Sequence, residues 1–154
     1  MSSKTGLFAA ALLLMAGGFG YLSTQQTERE GVRLPLVTGC KLHLQSCSAL
    51  LPEMGELTFE ISPKNPSPTE SILLRVTFSE LQPERVEVLF EGKEMYMGLL
   101  QYALYPSEES GVFSGTGSLS ICIRELMEWI ALLKVQVGDK VYEVPFEFET
   151  IHLK

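Results

Sequence analysis

The chain has 154 residues, enough for one domain with a sizeable core and too few for two comfortable ones. Its 19 acidic residues against 12 basic ones leave a formal charge of −7. With Lys and Arg scattered singly beyond residue 40, that balance excludes a nucleic-acid binder, whose affinity rests on neutralising phosphates.

Lys4 precedes an uncharged apolar run from Gly6 to Leu22. A basic start followed by a long apolar stretch predicts a signal anchor or signal peptide over residues 1–23. The run lies at the short limit of a spanning helix, which takes roughly 17–25 residues. Ala16 and Gly18 are small enough to precede a cleavage point, but no A-x-A pattern stands there, so both the retained anchor and the cleaved signal remain open. A buried helix of a soluble domain would carry a polar face, and this segment has none. Positive charge before the run predicts a single-pass protein of the inner membrane, with a cytoplasmic N-terminus and a periplasmic or otherwise extracytoplasmic C-terminal domain. Residues 24–34 are polar and charged and suit a linker, which leaves 35–154 as the folded domain.

From residue 55 the apolar residues alternate with period two. Leu57, Phe59 and Ile61 form one set, and the prolines of 63–68 end it. Ile72, Leu74, Val76 and Phe78 form a second set, and Val86, Val88 and Phe90 a third, with Glu91-Gly92 read as a turn. Shorter strands are expected at Gln101–Leu104 and Val112–Gly117. Tyr142, Val144, Phe146 and Phe148 alternate most clearly, and that strand should pair with Ile130–Val137 across Gly138-Asp139. About seven strands at this spacing predict an all-β antiparallel sandwich. Ile123, Leu126, Met127 and Ile130 stand at helical spacing, so a helical turn near Ile123–Glu128 is expected, with a longer helix over 120–134 as the alternative.

No hydrolytic, phosphate-binding or dinucleotide motif is present, and the chain is read as a non-enzyme. Cys40, His43 and Cys47 lie within eight residues. The two thiols suit a disulfide staple beside a surface histidine; reduced, with the imidazole, they suit zinc or Cu(I). With Cys122 the chain has three cysteines, so three pairings are open, and proximity favours Cys40–Cys47. Met95 and Met97 would share a face of an extended segment, where two thioethers suit Cu(I) or simply fill the core. Cys122 and Met127, beside Trp129, either converge on an ion in a turn-like segment or pack as a buried thiol beside a core tryptophan.

A short anchor, a sandwich containing Met95-Tyr96-Met97-Gly98, then Gly111-Val-Phe-Ser-Gly115, then Cys122, Met127 and Trp129, and a closing Phe146-Glu-Phe148 strand resemble the FixH/YtkA-like group. The resemblance covers roughly residues 55–150, and the Cys40–Cys47 segment has no counterpart in it. It implies a membrane-anchored or secreted protein with an immunoglobulin-like sandwich, tied to cytochrome oxidase assembly or copper handling. The expected function is therefore a periplasmic accessory protein of a respiratory membrane complex. Its expected Cu(I) ligands are Met95, Met97, Cys122 and Met127, with Cys40, His43 and Cys47 as a second set. Two other functions stay open: a metal-free interaction module of a membrane complex, and a thiol redox role for Cys40 and Cys47.

Overall fold

The computed structural model describes residues 30–52, 54–68, 70–80, 82–121 and 124–151. The predicted membrane segment, Cys122, Ile123 and His152 lie outside them. The strands are β1 (Glu30–Arg33), β2 (Val37–Lys41), β3 (Cys47–Leu51), β4 (Gly55–Ser62), β5 (Ile72–Phe78), β6 (Arg85–Gly92), β7 (Leu100–Pro106), β8 (Val112–Gly117), β9 (Leu126–Val137) and β10 (Lys140–Ile151). The last seven correspond to the seven read from periodicity. The first three carry no clear alternation, and β1 lies inside the polar stretch assigned to the linker. No helix is found among the described residues, so none there is long and apolar enough to cross a membrane.

The strands form one curled sheet in the order β1-β10-β9-β6-β7-β8-β5-β4-β3, with β2 also pairing β10. It is mixed: β1 and β2 run parallel to β10, and the other pairs are antiparallel. The expectation of a purely antiparallel sheet fails at this edge because two short strands precede the long hairpin and enter beside β10 in its own direction. The curl is made by β7, in which Leu100–Leu104 pair with β6 while Tyr105 and Pro106 pair with β8. One strand thus serves both halves, and the inward faces close on each other.

Between the halves lies an apolar core. Phe59 of β4 meets Phe146 of β10 edge to face, with ring centroids 5.5 Å apart. Phe148 stacks on Trp129 at 6.1 Å and meets Phe90 at 5.4 Å. The buried indole N–H of Trp129 donates to the Thr150 hydroxyl at 3.0 Å, which satisfies a donor that water cannot reach.

The helical reading of 120–134 does not hold where the chain is described, because Leu126–Val137 is strand β9. Met127, Trp129, Ala131, Leu133 and Val135 face the core. Leu132, on the opposite face, is buried as well, beside Leu89 and Pro145. Burial on both faces of the strand fills in the alternation and imitates helical spacing.

Candidate functional site

The loop between β6 and β7 covers one end of the core. Period two continues through Gly92, so this residue occupies an inward position after Phe90 and opposes Trp129. Met127 stands two residues before Trp129 on the same inward face. With no side chain at Gly92, the space is filled by sulfur-bearing neighbours. A Cβ placed there would lie 2.7 Å from the Met127 Cε, 3.0 Å from the Met97 Cγ and 2.5 Å from the Met95 carbonyl oxygen.

The Met127 Cε and the Met97 Cγ therefore both border the space left at Gly92, Met127 buried at 3% exposure and Met97 half-buried. Met95 is 37% exposed at the surface of the same loop. Residues 93–99, where an extended segment would put Met95 and Met97 on one face, are loop rather than strand and turn through Gly98 at a φ of +90°. The loop walls an open groove of about 450 Å³ with Leu89, Tyr96 and Leu99.

Polar ties fix the loop at both ends. The Lys93 N–H donates to the Glu128 carbonyl at 3.1 Å. The Lys93 ammonium reaches the carboxylates of Glu147 at 3.0 Å and Glu128 at 3.1 Å. Arg124 pairs with Glu94, and the Ser120 hydroxyl donates to the Met97 carbonyl at 3.0 Å. The Lys41 ammonium, hydrogen-bonded at 2.7 Å, together with Lys93 holds the Glu147 carboxyl below its ordinary range. The same carboxylate keeps Lys41 and Lys93 charged above the ordinary lysine range.

That ion network reaches the second cluster. Cys40 and Cys47 are disulfide-bonded with their Cα atoms 5.8 Å apart, linking β2 to β3 where the curled sheet would otherwise stand open. His43, in the loop between them, is buried and accepts the Glu149 backbone N–H through Nδ1 at 3.0 Å. In this oxidised form both sulfurs are bonded to each other and one ring nitrogen is engaged, so the second ligand set offers no open soft site. Among the described residues, no three His, Cys, Asp or Glu side chains gather as a metal site.

Sequence reasoning named Met97 and Met127 but missed Gly92. The signal was present: an inward-parity residue without a side chain, next to a methionine-rich loop. A thioether pair, one member buried and the other at a groove wall, offers soft, uncharged donors in an apolar setting. That chemistry suits a soft monovalent ion and does not suit hard cations such as Mg²⁺ or Ca²⁺. Compared with known proteins, the chain matches no family model, and no curated protein or solved structure is significantly similar to it.

Proposed function

We propose that the chain is a membrane-tethered extracytoplasmic accessory protein, built as an immunoglobulin-like domain, that holds Cu(I) transiently and assists assembly of a respiratory oxidase of the inner membrane. The convergence of Met97 and Met127 at Gly92 carries the copper reading. Met95, 37% exposed on the groove side, is the natural third donor and entry point. The apolar run Gly6–Leu22 supports the tether, and a disulfide between Cys40 and Cys47 suits an oxidising compartment.

The test is a Cu(I) titration of the full chain in detergent against a competing chelator, with ascorbate as reductant so that the disulfide survives. One equivalent bound by the wild type, and loss of that binding in Met95→Leu with Met97→Leu and in Met127→Leu, is the expected result. Unchanged stoichiometry in those variants sinks the site.

A second reading, a metal-free interaction module, is favoured by the terminal positions of β1 and β3 in the sheet order, since terminal strands pair with added strands. Absence of Cu(I) binding by the wild-type chain would select it.

A further inference from the structure

We infer that the loop end of the sandwich is a docking face for a protein whose own contact surface is apolar with a basic rim. For the cargo exchanged there, the inference rests on the Cu(I) reading above; the docking itself does not. Tyr96 is 88% exposed, Leu99 74%, Ile121 69%, Ile151 58% and Leu126 51%. Leu126 and Ile151 are register partners at the end of the β9–β10 pair. Tyr96 and Leu99 belong to the methionine loop, and Ile121 follows the serine that holds Met97. Five exposed large apolar side chains thus belong to segments that meet at this end of the sheet, the kind of surface that partners cover. Their loops are tied by Arg124–Glu94 and by Lys93 to Glu128 and Glu147, so the face is preformed.

Charge selects the occupant. Among the described residues at this end, Lys41, Lys93 and Arg124 are neutralised internally, whereas Glu91 and Glu125 are exposed and have no partner. On a chain of charge −7 the rim is acidic, which disfavours a second copy of this chain and an anionic lipid surface alike. A partner seated there lies over the groove that holds Met95 and Met97, where Cu(I) passes by exchange of one sulfur ligand for another. One copper–sulfur bond forms as another breaks, and the metal stays Cu(I).

The experiment uses the full chain in membranes of the native cell, with the photocrosslinker p-benzoylphenylalanine replacing Tyr96 or Leu126. Tyr105, 69% exposed on β7, serves as the control position. One dominant protein adduct is expected from the first two positions and none from the third, with the attachment point on the partner flanked by Lys or Arg. Charge reversal by Glu91→Lys with Glu125→Lys should lower that adduct about tenfold, with an unchanged unfolding midpoint certifying the fold. Lipid adducts, self-adducts, equal labelling from Tyr105, or an adduct insensitive to charge reversal each overturn the inference. Loss of Cu(I) binding in Met127→Leu with the adduct retained separates the two readings. An adduct with no Cu(I) binding by the wild type leaves docking standing and removes the cargo.

Discussion

His43 accepts the backbone N–H of Glu149 through Nδ1 at 3.0 Å, while its own carbonyl accepts the N–H of Asn65 at 3.1 Å. One residue thus joins β10, the disulfide loop and the turn after β4. His43→Ala strips the acceptor from a partly buried amide, at a cost of about 1–3 kcal/mol. Asn carries an acceptor oxygen near the Nδ1 position, so His43→Asn should recover much of it. Urea unfolding of both variants, with hydrogen exchange at the Glu149 amide, is the check; equal loss in both denies the acceptor role.

The disulfide closes a short loop, with seven residues of sequence separation, so its removal costs less than that of a long-range bridge. Cys40→Ser with Cys47→Ser should lower stability by about 2 kcal/mol. Because β2 makes only two register pairs with β10, the loss should appear first as faster amide exchange in β2 and β3. Exchange rising uniformly across β5 and β9 instead would deny the bridge its local role.

The alternation of Ile72 to Phe78 and of Tyr142 to Phe148 was plain in the sequence because each strand has one buried and one wetter face. β2 was not, because its residues are mostly half-buried or exposed at a sheet edge and Gly39 interrupts them. Pairing of β1 and β2 with β10 joins residues more than a hundred positions apart, and no local pattern encodes that. At the site, the residue types were legible and their meeting was not. Met97 and Met127 come together through the register of Gly92 with Trp129, a property of the β6–β9 pairing alone.

Glu147 makes the folded state sensitive to acid. Its carboxyl is held below the ordinary 4.5, first by the hydrogen bond from Lys41 and then by that from Lys93. Between the folded and unfolded values the unfolded chain binds more protons, so stability falls as pH falls. The contribution of Glu147 is complete above about pH 4.5 and is lost as pH drops through the folded value. For Lys41, raised above 10.5 by the same bond, the contribution is complete below that pH and is lost as pH rises beyond it. Glu147→Gln should therefore weaken the protein at neutral pH, and its stability curve should converge on that of the wild type in acid. Curves that stay parallel from pH 7 to pH 3 would falsify the assignment.

Gly92 offers the sharpest test of the methionine site, because its substitution removes no sulfur atom. A methyl group there meets the Met95 carbonyl oxygen at 2.5 Å, the Met127 Cε at 2.7 Å and the Met97 Cγ at 3.0 Å. The two side chains are flexible, but the carbonyl is backbone, and Ser120 and Arg124 tie the loop that carries it. Gly92→Ala should therefore push residues 95–97 outward and destabilise the protein by about 1–3 kcal/mol, the range for an overpacked core. Gly31→Ala in β1, where a Cβ meets nothing within 4 Å, should stay within about 0.5 kcal/mol of the wild type. If Met97 and Met127 bind Cu(I) together, affinity in Gly92→Ala should fall at least about tenfold, because the pair no longer meets on one point. Measured side by side, urea midpoints report the overpacking and chelator competition reports the sulfur geometry. A Gly92→Ala protein with wild-type midpoint and wild-type affinity would remove Gly92 as the pivot of the site.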